Sequence, residues 1–220
     1  MDDKRTNFLS NCRLCIEIND FENSLFYKKY PKILAQNVFF ERSQVQVMIP
    51  IGPYCPGHLL IASKRHEWSF GHIGKDIIPE VLDLVDDVSS FLKEHFKKER
   101  IIVFEHGPLS FEERGGACLS HAHFNILPIP GTVSLFKKAS KLLDFKPIKF
   151  TQIEDFIGRG VPYLFFHCLL EGTFAAPAPI GSTQFFRKLL ASSGIEENWD
   201  WRNDPKIDIV QKMAELLKDL

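Results

Sequence analysis

No run in the 220-residue chain approaches the roughly 20 consecutive apolar residues that span a bilayer, which excludes a membrane-spanning helix. Nor is there a surplus of either charge. The 27 Lys and Arg against 28 Asp and Glu leave a net charge of −1, without the basic excess that long nucleic-acid tracts or acidic lipid surfaces require. Any phosphate recognition must then be local, and a small polyanion is the expected kind of ligand. The first residues, with Asp2 and Asp3 among them, contain no apolar core of signal-peptide length, so a cytoplasmic protein is expected. Cysteines are few and odd in number, five, and two of them form Cys12-x-x-Cys15. That pattern fits metal binding or free thiols better than a disulfide framework. Internal repeats and low-complexity tracts are absent. What remains, 45% apolar and 25% charged, suffices for one well-buried globular domain with at most a small appendage.

Hydrophobic patterning orders the chain as strands, a long helix, more strands and then helices, an α+β arrangement. Residues 44–49 and 58–62 read as two strands joined by a turn at Pro56-Gly57. Asp76 can cap a helix with Pro79 in its first turn, and Ile78, Val81, Leu82, Val85, Val88, Leu92 and Phe96 recur at helical spacing up to Lys97 and Lys98. Residues 101–105 read as a buried strand and 107–117 as a loop. A strand is expected over 121–127, ended by Pro128 and Pro130. Residues 163–170 are an apolar run, and the Pro- and Ala-rich 173–182 read as an extended connector. A helix is expected over 184–190. Asp204-Pro205 begins another, with Ile209, Val210, Met213, Leu216, Leu217 and Leu220 along one stripe.

The chemistry concentrates in Ser120-His121-Ala122-His123-Phe124-Asn125-Ile126-Leu127-Pro128. On a strand, His121, His123 and Asn125 share one face while Ala122, Phe124 and Ile126 take the other. Alone, a His-x-His pair reads equally well as a hydrogen-bonded structural pair.

Its surroundings add to it. The segment Pro56-Gly57-His58-Leu59-Leu60-Ile61-Ala62-Ser63-Lys64-Arg65-His66 resembles the one that precedes the long helix in histidine triad (HIT-like) proteins, and His121-x-His123 with Pro128 resembles their signature strand. Val103-Phe104-Glu105-His106-Gly107, with Gly116 five residues before His121, looks closest to the galactose-1-phosphate uridylyltransferase-like branch. The resemblance covers about residues 12–130. It implies an antiparallel sheet with a long helix packed on it and a core over residues 1–130; the hydrophobic patterning beyond it adds a carboxyl-terminal strand and helical extension over 131–220 packed on that core.

The resemblance also implies roles. His123 would attack the α-phosphorus of a nucleoside phosphate and carry it as a covalent nucleotidyl-histidine, which suits a neutral imidazole whose other nitrogen donates to a fixed acceptor. Asn125 stands where the usual triad has a third histidine and the uridylyltransferase branch a glutamine. An amide can orient a phosphate but cannot protonate a leaving group, which favours transfer or phosphorolysis with a phosphate leaving group. Being a methylene shorter than glutamine, it also leaves room for a nucleotide-binding protein or weak hydrolase with a degenerate triad. Cys12, Cys15, His66 and His121 match the ligands of a closed, structural zinc site in zinc-containing members. His72 is the other candidate for the third ligand, and a pair of ordinary buried thiols is the bland alternative. Glu105, His106, Gly107, Gly116 and Cys118 match substrate-side positions, although Glu105 reads as well as a structurally paired acid and Cys118 as a small packing residue. His58 reads as a hydrogen-bonded turn residue. The Trp199-Asp200-Trp201-Arg202 cluster reads as packing for the final helix. Implied partners are a nucleotide or other phosphate ester and, as in many members, a second copy of the chain.

Overall fold

The computed structural model describes residues 11–110, 119–179, 183–195 and 200–219. Two short helices open it: α1 (Arg13–Asn19), and α2 (Leu25–Lys29), whose Ser24 hydroxyl accepts the Tyr27 N–H as a cap. Strands β1 (Val45–Met48) and β2 (Leu59–Ser63) follow, close to the expected limits. The turn between them holds Gly52 and Gly57 at φ +62 and +88, a left-handed conformation that glycine adopts without steric cost.

The long helix α3 (Ile78–Phe96) carries Pro79 in its first turn, as expected, and stops where Lys97 turns left-handed. Its cap position is Ile77, with no side-chain cap, so Asp76 does not serve as expected. Next come β3 (Arg100–Gly107), β4 (His123–Ile129), α4 (Leu135–Ala139), β5 (Lys146–Pro147) and α5 (Glu154–Gly158). The chain then forms β6 (Tyr163–Cys168), β7 (Gly172–Pro177), α6 (Phe185–Ala191) and α7 (Ile207–Leu216).

The strands form one antiparallel sheet in the order β1-β2-β4-β3-β6-β7-β5. Two expectations about its strands need correction. Residues 173–177 of the expected connector belong to β7, which pairs with both β6 and β5. Its small Ala175 and Ala176 are buried on opposite faces of the sheet. Pro128 does not end its strand either. β2 reaches along β4 only to Ile126, and the Pro128 carbonyl accepts from the Cys55 thiol on that flank, so its missing N–H falls where no ladder partner runs. Because β3 pairs with both β4 and β6, the sheet runs unbroken across residue 130.

Period-two alternation gives the sheet two buried faces. One, with Val45, Val47, Ile61, Val103, Phe124 and Phe165, packs on α3 and on Val210, Met213 and Leu217 near the carboxyl terminus. The other carries Ile102, Phe104, Leu127 and Phe166 under α4 and α6. Farther along that second face Met48, Leu60 and Ala62 meet Leu14 of α1. Among the described residues no helix is long and apolar enough to cross a membrane.

Candidate active site and metal cluster

His123 opens β4 on the second face. Its Nδ1–H donates to the His121 carbonyl at 2.6 Å, and because a carbonyl only accepts, the lone pair of the neutral ring sits on Nε2. Burial pushes the imidazole down to about 4, against the pull of the carbonyl bond, so the ring is neutral near pH 7. His123 lines a cavity of about 370 Å³ together with Asn125, two residues on along the same face.

Asn125 is oriented by a short chain of hydrogen bonds. The Tyr54 N–H donates to His58 Nδ1 at 3.0 Å, so the neutral ring carries its proton on Nε2. That N–H donates to Asn125 Oδ1 at 3.1 Å, which leaves the amide Nδ2–H groups as the donors Asn125 can offer to the cavity. His58 is buried, and desolvation holds its pKa well below the ordinary value, so the tautomer is not lost to protonation. Tyr54 stacks on His58 with ring centroids 4.2 Å apart, and the Arg187 guanidinium lies 4.1 Å over the Tyr54 ring. Arg187 also donates to the Gly52 carbonyl at 2.8 Å. The far wall of the cavity thus comes from the carboxyl-terminal segment, with Arg187, Trp201 and Arg202, while Arg13 and Glu17 reach in from α1.

The expected substrate-side residues divide. His106 lines the cavity, as does Phe104, but Glu105 points to the opposite face, because strand alternation sends it toward α3. There its carboxylate accepts from the Phe70 N–H at 2.9 Å and from the Tyr163 hydroxyl, and burial pushes its pKa up to about 8. Glu105 is therefore an internal brace holding residues 70 and 163 behind the site. Gly107 packs against Tyr163, since a Cβ there would lie 2.2 Å from the Tyr163 ring. Gly116 and Cys118 lie outside the described residues, as does Trp199.

His121 sits just before β4 rather than on it, turned away from the cavity. Its Nε2–H donates to the Ser63 carbonyl at 2.8 Å, directing the Nδ1 lone pair at Cys12 Sγ and Cys15 Sγ, each 3.4 Å away. His66 Nδ1 lies 3.2 Å from Cys15 Sγ, and the four donor atoms of Cys12, Cys15, His66 and His121 all fall within 4.8 Å of one another. A tetrahedral ion with bonds of about 2.3 Å to sulfur and 2.0 Å to nitrogen has sulfur–nitrogen edges of about 3.5 Å, so the cluster can hold a metal. The sulfurs themselves compete for a proton: a hydrogen bond from Cys15 holds the Cys12 thiol down, and the same contact drives Cys15 up. His72 plays no part in the cluster; its Nδ1 pairs with the Ser69 hydroxyl at 2.9 Å.

Sequence reasoning missed Tyr54 and Glu17, and it weighed a binding role for Arg187, Trp201 and Arg202 but favoured packing, whereas the three line the cavity. Their only local signal is residue type, since each reaches the cavity through long-range packing. Gly52 shows how that packing is built: a Cβ there would lie 2.2 Å from Trp201 Cβ, so glycine lets the far segment close over the β1–β2 turn.

No protein-family model matches the chain. It is similar to an uncharacterised HIT-like protein of Saccharolobus solfataricus, 25% identical over 91 residues, which make up 41% of this chain and 63% of that relative. The match thus spans less than two thirds of the relative's length. Among solved structures, a hypothetical protein from Leishmania major is 18% identical with a TM-score of 0.41 over 60% of this chain and 92% of that one. A hypothetical histidine triad nucleotide-binding protein from Sulfolobus tokodaii is 16% identical, TM-score 0.37, over 83% and 87%. A HIT family hydrolase from Clostridium thermocellum is 22% identical, TM-score 0.36, over 51% and 96%.

Proposed function

We propose that this chain is a histidine triad-type enzyme that transfers a nucleotidyl group from a nucleoside polyphosphate or nucleotide sugar through a covalent nucleotidyl-His123. The observation that carries the reading is the tautomer of His123: Nδ1–H tied to the His121 carbonyl, the lone pair on Nε2, and the ring on the wall of a cavity shared with Asn125 and Arg187. In the first step Nε2 attacks the α-phosphorus, a P–N bond forms, and the P–O bond to the leaving phosphate breaks with its electron pair leaving on oxygen. The bond to His121 holds Nδ1–H in place as positive charge develops on the ring. Asn125 Nδ2 donates to a non-bridging phosphate oxygen, and His58 keeps that amide turned toward it. In the second step an acceptor oxygen, from phosphate or another phosphate ester, attacks the same phosphorus and releases Nε2. Neither step asks Asn125 for a proton, which suits a phosphate leaving group.

Zinc is the ion that two thiolates and two imidazoles suit best, with Cys12, Cys15, His66 and His121 as its ligands. Bound there it would supply structural closure, tying α1 to the residue whose carbonyl orients His123.

Asn125 also supports a second reading, a nucleotide-binding protein with little turnover, because its amide cannot assist a poor leaving group. Turnover assays with dinucleoside polyphosphates and nucleotide sugars, with and without inorganic phosphate, separate the two. The enzyme reading expects turnover that falls at least ~10³-fold in His123→Ala. Saturable binding with equal rates in wild type and variant would favour the second reading.

A further inference from the structure

An alkoxide or phenoxide is a poor leaving group unless a proton reaches its oxygen, and the Asn125 amide has none to give. The cavity holds an imidazole placed for that task. β3 and β4 pair as far as Phe104 and Asn125. Two residues farther along each strand, on the same face, stand His106 and His123, and both line the cavity. On its other flank His106 is paired with the buried Leu164 of β6, so the nucleophilic histidine lies on one side of it and a hydrocarbon wall on the other.

The two rings also sense each other. Burial is the main cause that lowers His123, and of the charged groups that act on it as well, His121, Cys12 and His106, only His106 belongs to the cavity wall. His121 and Cys12 belong to the metal cluster. Neighbouring strands stand about 4.8 Å apart, close to the span between the entering and departing atoms of an in-line displacement at phosphorus. With His123 Nε2 at the entering end, that spacing lets the neighbouring imidazole reach the departing oxygen. The third histidine of the wall, His58, has both ring nitrogens engaged, and guanidinium groups keep their protons.

We propose that His106 is the proton-transfer catalyst of this site, acid to the departing oxygen in the first step and base to the acceptor hydroxyl in the second. The inference rests on the nucleotidyl-His123 reading above and extends it, because the site then handles phenoxide and alkoxide leaving groups and hydroxyl acceptors as well as phosphates. As His123 Nε2 bonds to phosphorus, the P–O bond breaks, its electron pair stays on oxygen, and that oxygen takes the imidazolium proton of His106. In the second step neutral His106 removes the proton of the acceptor hydroxyl. The acceptor oxygen bonds to phosphorus, the P–N bond breaks with its pair returning to Nε2, and both rings are restored.

The test is kcat/KM for release of the phenol from p-nitrophenyl and phenyl esters of the four ribonucleoside 5′-monophosphates, on the full chain and on His106→Gln and His106→Asn. p-Nitrophenolate departs with little help from a proton, whereas phenolate needs one. In wild type the two esters should react within about tenfold of each other, and in both variants the phenyl ester should fall behind by a further ~10²-fold or more. Because the ratio is taken within one protein, a lower folded fraction cancels from it. A ratio that keeps its wild-type value in the variants would overturn the assignment. So would the same enlargement in Glu17→Gln with none in His106→Gln, since burial pushes the Glu17 carboxyl up to about 8 and makes it the other proton carrier of the wall. An adduct on His123 from a nucleoside polyphosphate, with turnover of neither ester, would also overturn it and leave transfer to phosphate standing. If no donor modifies His123, the nucleotidyl reading itself falls and the assignment with it, a result distinct from the others.

Discussion

His58 accepts the Tyr54 N–H and donates to Asn125, so removing it frees the Asn125 amide to rotate. His58→Ala and Asn125→Ala should therefore be less than additive in kcat, with a coupling of about 1 kcal/mol in a double-mutant cycle; strict additivity would mean that the bond does not position the amide. Glu105 makes a pH prediction with a definite sign. Its folded-state pKa of about 8 lies above the ordinary 4.5, so between these values the folded chain binds the proton more tightly than the unfolded chain does. Stability should decline as pH rises through that window. Melting temperatures of Glu105→Gln should show a flatter profile, with the variant gaining on wild type as pH rises from about 4.5 to 8 and holding that gain above it; parallel profiles would contradict the assignment. Residues of this kind were unevenly legible. Applied to β3, the same period of two that puts His123 and Asn125 together separates Glu105 from Phe104 and His106, so its position was available from sequence. Glu17 and Arg187 were not, because only the approach of α1 and α6 brings them to the cavity.

At the scale of elements, the cysteine–histidine cluster joins α1 to the end of β2 and the start of β4. Wild-type protein should carry about one zinc per chain. His66→Ala should lose the metal and melt roughly 4–8 °C lower, as expected for about 2 kcal/mol in a chain of this size. Full metal content in that variant would remove His66 from the ligand set. Gly107→Ala drives a methyl into the Tyr163 ring and should cost about 1–3 kcal/mol in denaturant unfolding. The long helix and the strands around it were legible from periodicity alone. β7 was not: the prolines and small residues of 173–182 suggest a connector, and the pairing of β7 with β6 and β5 is a tertiary choice that overrides local propensity.

For the whole molecule, the carboxyl-terminal helices complete both the core and the cavity. Phe186, Leu189 and Leu190 cover one face of the sheet, while Val210, Met213 and Leu217 cover part of the other. A chain ending at residue 182 should expose both surfaces and aggregate or melt far below the full chain; a truncated form that stays monomeric and as stable as the full chain would show that these helices are dispensable. The sequence resemblance, confined to about residues 12–130, carried no information on that wall. The claim that joins every scale is that His123 becomes covalently nucleotidylated, and intact-mass spectrometry after brief incubation with nucleotide sugars and dinucleoside polyphosphates tests it most directly. A nucleotidyl-sized mass gain in wild type, absent from His123→Ala and mapped to His123 in the peptide spectrum, is the predicted result. No gain with any donor that measurably binds, or the same gain in the variant, would contradict it.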